Sequence, residues 1–160
     1  MSRSDNIFEY LPNTDGTELS IAVVVSRFNQ EICTALRHAC ISELLRLNVN
    51  TLAIEVINVP GALEIPLALQ TLAKKRRFHA LIALGVVIGG DTYHFDIVAN
   101  DSCRALMEVQ LDTGLPVANG ILTCETEEQA MARAQQKGAD CAQAAVEMAH
   151  LIRAINERRP

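Results

Sequence analysis

The sequence predicts an α/β fold in which a four-stranded parallel sheet lies between two layers of helices. Segments with a strand-like apolar pattern alternate along the chain with segments of helical periodicity. Residues 22–25 and 80–88 are apolar runs, which are typical of parallel strands buried on both faces. Because crossovers between parallel strands are right-handed, few strand orders remain. We predict a three-layer αβα sandwich with the flavodoxin-like strand order 2-1-3-4.

The first elements follow a polar, turn-rich leader. We expect this leader (residues 1–18) to be flexible, and residues 19–160 to fold as a single domain. The first strand is predicted over residues 19–26, and the helix after it runs to about residue 47 with Asn29 as its cap. The apolar face of that helix repeats at spacings of three and four, and it contains Cys33, Leu36, Cys40, Leu44 and Leu47.

The remaining elements continue the alternation. Later strands are predicted from apolar runs or from apolar–polar alternation, over residues 51–58, 80–88 and 116–123. Later helices are predicted from helical spacing of apolar residues, from the Pro60-Gly61 pair to about residue 75 and over residues 92–113, 125–136 and 141–157. We expect Asp91 or Thr92 to open the third of the five helices. We expect a break near Gly138 between the last two, because glycine disfavours a helix interior.

The composition limits the classes of function. The net charge of −5 argues against binding to nucleic acid. The apolar stretches are too short to span a bilayer, and no apolar signal segment is evident near the start. Five cysteines without metal-site spacing predict reduced thiols, a cytoplasmic protein and no metal site. Cys124 at a strand end is a candidate nucleophile, but we favour buried or surface thiols.

The stretch from Gly89 to His94 has the composition of a reaction site. Gly89 and Gly90 allow backbone N–H groups to approach a ligand closely, and a helix N-terminus at Asp91 or Thr92 favours an anion. His94 is a candidate general base, because the positive end of a helix dipole favours the neutral imidazole. The alternative is that His94 only caps or packs. Three other histidines are expected to be structural or exposed, namely His38, His79 and His150.

Polar blocks follow all four predicted strands. Since the carboxyl ends of parallel strands meet at one edge of a sheet, these blocks predict a ligand site there. The blocks also resemble the lumazine synthase family of riboflavin biosynthesis. The similarity covers roughly residues 18–155, and the matching stretches are residues 26–29, 59–66, 85–95 and 119–134.

The resemblance implies an activity and an assembly. The reaction would condense 5-amino-6-(ribitylamino)uracil with 3,4-dihydroxy-2-butanone 4-phosphate through a Schiff base, phosphate elimination and ring closure. No metal or organic cofactor would be needed. The enzyme would be a pentamer or a multiple of pentamers, with sites between subunits, and would have small-molecule substrates rather than nucleic-acid or membrane partners.

The resemblance also implies roles for individual residues. His94 would move protons during imine formation and ring closure. Phe28 would stack on the pyrimidine, and Glu64 would accept hydrogen bonds from the ribityl hydroxyls. Further contacts to the same ligand would come from Ala62, Val87, Ile88 and Asn119. The phosphate would be bound by Asp91, Thr92, Arg133 and Lys137, with Arg133 supplied by a neighbouring subunit.

Several positions depart from the family pattern. Gly89 stands where many members carry Arg or Lys, and Asn119 replaces a frequent Phe. Asp91 lies where a small residue is common, and we expect its carboxylate to cap the helix and point away from the phosphate. The chain is shorter than the common version just before Gly138, which affects the match of Lys137. Two alternatives therefore stay open, a catalytically inactive flavin- or lumazine-binding scaffold and a riboflavin synthase of the archaeal type.

Overall fold

The computed structural model describes residues 7–158. The parts of the predicted leader and domain at residues 1–6 and 159–160 lie outside the described residues. The strands are β1 (Ile21–Ser26), β2 (Ile54–Val59), β3 (Ala80–Ile88) and β4 (Val117–Cys124). The helices are α1 (Gln30–Arg46), α2 (Ile65–Ala73), α3 (His94–Thr113) and α4 (Glu127–Glu157). Short 3₁₀ turns at Thr51–Ala53 and Ala62–Glu64 precede β2 and α2.

The four strands form a parallel sheet in the order β2-β1-β3-β4. The two central strands, β1 and β3, are the apolar runs of the sequence, and every residue of β1 is buried. This arrangement confirms the predicted strand order. Because all four strands run in one direction, the segments that follow them emerge at the same edge of the sheet.

Two helical layers enclose the sheet, as predicted for a three-layer sandwich. Residues of β1 alternate between the layers: Val23 packs with α1 and α4, whereas Ala22 and Val24 pack with α2 and α3. The contact of α4 with its neighbours is made largely by small side chains, which allow close approach. The buried alanines of this helix are Ala130, Ala134, Ala142, Ala145 and Ala149.

The last helix is continuous, so the predicted break near Gly138 is wrong. α4 extends without interruption through Glu127–Glu157. Gly138 faces α1, and a Cβ at this position would lie 2.4 Å from the carbonyl oxygen of Leu36 and 2.9 Å from Cβ of Ala39. The glycine therefore allows two helices to pack closely, and that tertiary contact outweighs its weak helix propensity.

One predicted helix start is confirmed in position, and another is wrong. Asn29 lies at the N-cap position of α1, but it has φ of 55° and makes no side-chain capping bond. α3 begins at His94 rather than at Asp91 or Thr92, and neither of those residues caps it. Ahead of this helix, Gly89 N donates to the carbonyl of Cys124 (2.8 Å), so the β3–β4 pairing continues one residue beyond the strand.

The second strand also begins later than predicted. Residues 51–53 form a 3₁₀ turn instead of extended chain, and the side chain of Asn50 accepts a hydrogen bond from Leu52 N (2.9 Å). Local bonding by an asparagine side chain therefore competes with the strand at this point. Within residues 7–158, no helix combines the length and the apolar character that a membrane crossing requires.

Candidate active site

Seven of the residues predicted to bind substrate or catalyse line one cleft at the carboxyl edge of the sheet. The cleft has a volume of about 410 Å³ and lies between the turns after β1 and β2, the end of β3 and the start of α3. The seven residues are Phe28, Ala62, Glu64, Val87, Ile88, Thr92 and His94. Three of the four polar blocks of the sequence therefore meet in a single cavity.

Phe28 lies in a turn that is fixed by backbone hydrogen bonds. Its N–H donates to the carbonyl of Pro60 (3.2 Å), and its own carbonyl accepts from the Cys33 thiol (3.2 Å). The next residue, Asn29, adopts the left-handed conformation, and its side-chain amide donates to the carbonyl of Val86 (3.4 Å). The side chain of Phe28 is 68% exposed. A rigid backbone thus presents an aromatic ring to the cleft.

Glu64 is held beside this ring by the backbone of Gly61. The N–H of Gly61 donates to Oε2 of Glu64 (2.8 Å), and the N–H of Glu64 returns a bond to the carbonyl of Gly61 (3.3 Å). One carboxylate oxygen is therefore occupied within the turn. The other oxygen is available to accept hydrogen bonds from hydroxyl groups of a ligand.

The floor of the cleft is apolar. Ala62 and Val87 are buried, with exposed fractions of 6% and 8%, and Ile88 at the end of β3 is half-buried. Phe95 and Val98 of α3 complete this wall. An apolar floor beneath a few polar groups is the usual construction of a small-molecule site.

His94 is the first residue of α3 and is exposed at the mouth of the cleft. Thr92 and Gly90 line the cleft in the loop just before it. The first N–H groups of a helix have no partner within the helix, and the helix dipole adds positive potential there. The arrangement combines a proton-transferring side chain with donors suited to an anion. Asp91 is exposed and is not part of the cleft lining.

Arg133 and Lys137 lie in a second cleft. This cleft has a volume of about 520 Å³ and is formed by α4 and the end of β4. One guanidinium nitrogen of Arg133 donates to the carbonyl of Gln129 (2.8 Å). Acidic groups share the cleft, namely Glu125 and Asp140. Within one chain, the structure does not bring the two cations to His94.

Asn119 lies on β4 and does not line the first cleft either. Its Oδ1 accepts a hydrogen bond from Ile121 N (3.0 Å), and its Nδ2 lies 3.5 Å from the sulfur of Cys103. These contacts orient an exposed amide on the α3 side of the sheet edge.

The structure explains why position 89 is a glycine. A Cβ on Gly89 would lie 2.7 Å from Oε2 of Glu125 and 3.2 Å from Cα of that residue. The absence of a side chain allows the loops after β3 and β4 to touch. At this position, where many family members carry Arg or Lys, the chain has a glycine with the carboxylate of Glu125 beside it.

The buried thiols are poorly suited to nucleophilic chemistry. Burial raises the pKa of Cys40 to about 12, and it raises the pKa of Cys141 to about 11. Burial also raises the pKa of the Cys33 thiol. Because the thiolate is the reactive form, these three cysteines are poorly suited to attack a substrate.

The sequence profile of the 6,7-dimethyl-8-ribityllumazine synthase family matches residues 18–153. This chain belongs to that family. A 6,7-dimethyl-8-ribityllumazine synthase of Azoarcus sp. (strain BH72) is 50% identical over 97% of this chain and 99% of its own length. Synthases of the same name from Nitrosospira multiformis and Polynucleobacter necessarius are 53% and 51% identical. The match to the Nitrosospira synthase covers 98% of both chains. The match to the Polynucleobacter synthase covers 96% of this chain and 90% of the relative.

Some cleft residues of this lumazine synthase family member lie outside the predicted set of site residues. Asn29, for which the sequence predicts only a capping role, lines the cleft. Gly61 and Leu63 also line it, although the sequence indicated only that a turn and a helix begin there. The available signal was their position within the motif blocks that contain Phe28 and Glu64.

Proposed function

We propose that the protein forms 6,7-dimethyl-8-ribityllumazine from 5-amino-6-(ribitylamino)uracil and 3,4-dihydroxy-2-butanone 4-phosphate, with release of phosphate and water, in riboflavin biosynthesis. The main support is that Phe28, Glu64 and His94 share one cleft in a chain about half identical to named synthases over nearly its whole length. The product is a precursor that a further enzyme converts to riboflavin.

The aminouracil would bind in the cleft of Phe28 and Glu64. The flat pyrimidine would stack on the exposed Phe28 ring, since aromatic faces pair well in offset arrangements. The ribityl hydroxyls would donate to the free carboxylate oxygen of Glu64. The apolar wall of Ala62, Val87 and Ile88 would exclude water from the edge of the ring system.

The butanone phosphate would bind near the start of α3. Thr92 and the N–H groups there would bind the phosphate, and His94 would carry protons during Schiff base formation and ring closure. The amine of the aminouracil is already nucleophilic and phosphate is a good leaving group, so the reaction needs no cofactor. Holding the two substrates in reactive geometry can supply much of the rate.

The complete site would lie between two subunits of a homopentamer. The second cleft, with Arg133 and Lys137, would face the part of a neighbouring subunit's first cleft that binds the phosphate. Asn119 would approach the pyrimidine bound in that neighbouring cleft. A second observation supports a contact between subunits. Exposed apolar side chains lie on and next to α2 and α3, and such clusters mark interaction surfaces. They include Leu63, Leu67, Ile97, Met107 and Leu111.

Analytical ultracentrifugation would test this assembly. We expect pentamers or their multiples, and we expect Leu111→Asp to shift the protein toward smaller species. A wild-type protein that sediments as the 17.5 kDa single chain during turnover would contradict the shared site. We also propose a cytoplasmic location, for which the five free thiols give support.

A direct assay tests the proposed activity. Purified protein is mixed with the aminouracil and the butanone phosphate, and the fluorescence of the lumazine is followed above the slow uncatalysed rate. Acceleration is the expected result. A folded protein that binds riboflavin but gives no acceleration would overturn the proposal and indicate the binding scaffold. Conversion of added lumazine to riboflavin would indicate the riboflavin synthase alternative.

A further inference from the structure

Gly61 touches both groups that would bind the aminouracil. A Cβ on Gly61 would lie 2.8 Å from Cδ2 and 2.9 Å from Cε2 of the Phe28 ring, and 3.1 Å from Oε2 of Glu64. The same residue donates its N–H to that carboxylate oxygen. The ring and the carboxylate are therefore both in contact with one backbone unit.

The backbone of Gly61 does not itself require glycine. Its φ of −144° and ψ of −175° are extended values that any residue adopts. What glycine supplies here is the absence of a side chain at the surface on which the ring rests. Gly61 is also buried, so a side chain could not turn into solvent without moving one of the two neighbours.

We propose that Gly61 is a positioning residue that sets the spacing between the aromatic ring of Phe28 and the carboxylate of Glu64. This inference rests on the proposed function, because it concerns the site for the aminouracil. The ring would be the group that moves if a methyl group were added, since 68% of its side chain is exposed whereas the backbone around it is fixed by hydrogen bonds. The displaced ring would no longer lie parallel to a pyrimidine whose ribityl chain remains on Glu64.

The test is Gly61→Ala, assayed with each substrate varied separately. We expect the Michaelis constant for the aminouracil to rise by up to about tenfold, because the contribution of a well-aligned aromatic pair to binding is about that size. The Michaelis constant for the butanone phosphate, the turnover number at saturation and the melting temperature should stay near wild type. A variant with an unchanged constant for the aminouracil would overturn the proposal.

A double-mutant cycle with Phe28→Ala separates this mechanism from a general loss of structure. Without the ring, the two closest contacts of the added methyl group are gone and only Oε2 of Glu64 remains near it, at 3.1 Å. Gly61→Ala should therefore have a much smaller effect in the Phe28→Ala background. If the substitution weakens binding equally in both backgrounds, Gly61 does not act through Phe28. A loss of folding that persists in the double variant would likewise place the clash elsewhere and contradict the inference.

Riboflavin provides a readout that does not depend on turnover. Its binding to wild type, the two single variants and the double variant can be measured by quenching of flavin fluorescence. If wild type forms no lumazine but binds riboflavin, the proposed function fails, while the same four affinities still decide the role of Gly61. We expect Gly61→Ala to weaken riboflavin binding in the wild-type background and to change it little without Phe28. Equal weakening in both backgrounds would overturn the inference.

Discussion

Gly138 of α4 lies directly against Leu36 of α1, so close that a Cβ on the glycine would be 2.4 Å from the leucine carbonyl oxygen. The contact joins the two helices that cover one face of the sheet, and the side chain of Leu36 is fully buried there. A glycine that weakens its own helix thus permits the close packing of a pair of helices.

We expect Gly138→Ala to lower the free energy of unfolding by about 1–3 kcal/mol, because a methyl group inserted into a packed contact forces neighbours apart. Alanine would otherwise gain about 1 kcal/mol over glycine in a helix interior. Urea unfolding monitored by circular dichroism measures the difference. The reverse change at an exposed position of the same helix, Ala144→Gly, is the control and should cost about 1 kcal/mol from propensity alone. Stabilisation by Gly138→Ala would show that the helices are not in tight contact.

The arrangement of strands could be predicted from the sequence because its determinants are local or general. The apolar runs that form β1 and β3 identify central strands, and the handedness of crossovers limits their order. The break expected at Gly138 failed for a different reason, because it depends on a partner distant in the sequence, Leu36. The cap expected from Asp91 also failed, since α3 begins three residues later, at His94.

The candidate site, like the fold, could be predicted only in part from the sequence. That polar residues would gather at the carboxyl edge followed from the topology of a parallel sheet. The topology does not determine which of these residues share a cleft, because that depends on the directions in which loops and helices leave the edge. Phe28, Glu64 and His94 lie in one cleft, whereas Arg133 and Lys137 lie in another. Periodicity and motif spacing carry no information about that separation.

His94→Ala should lower the turnover number by roughly 10²–10⁴-fold, the usual contribution of a side chain that transfers protons in the transition state. The side chain is exposed, so the melting temperature should change little. Steady-state assays and thermal unfolding measure the two quantities. His38→Ala is the matched control, because His38 is an exposed histidine on α1, and it should retain wild-type turnover. A turnover number for His94→Ala within about twofold of wild type would remove His94 from the mechanism.

Arg133→Ala should mainly raise the Michaelis constant for the butanone phosphate. An arginine bound to a phosphate makes charge-assisted hydrogen bonds, and their loss should raise that constant by about 10- to 100-fold. Arg133→Lys retains the charge but loses the two-pronged geometry, so its effect should be intermediate. The constant for the aminouracil should stay near wild type in both variants. An equal rise for both substrates would indicate damage to the assembly rather than loss of a phosphate ligand.

His79, just before β3, is hydrogen-bonded through a neutral imidazole to Ser20, just before β1. Its Nδ1 accepts a hydrogen bond from the backbone N–H of Ser20 (2.9 Å), and the backbone N–H of His79 donates to the carbonyl of Ser20 (2.8 Å). Burial lowers the pKa of His79, and the positive charge of Arg153 and then of His150 lowers it further. His150 itself lies against the leader, with Nε2 2.6 Å from the carbonyl oxygen of Asp15. Protonation of His79 would remove the acceptor and add a positive charge to this group.

The stability of the fold should therefore depend on pH through His79. An unfolded histidine has a pKa of about 6.5, whereas the folded pKa of His79 is lower, so the unfolded state takes up the proton first as the pH falls. The contribution of His79 is then complete above pH about 6.5 and is lost as the pH falls toward the folded pKa.

His79→Asn keeps an acceptor oxygen near the position of Nδ1 but cannot be protonated. We expect its free energy of unfolding to fall less than that of wild type between pH of about 7.5 and about 5.5. His38→Asn, which alters a histidine outside this group, should leave the wild-type pH dependence unchanged. Equal slopes for His79→Asn and wild type would show that protonation of His79 is not linked to folding.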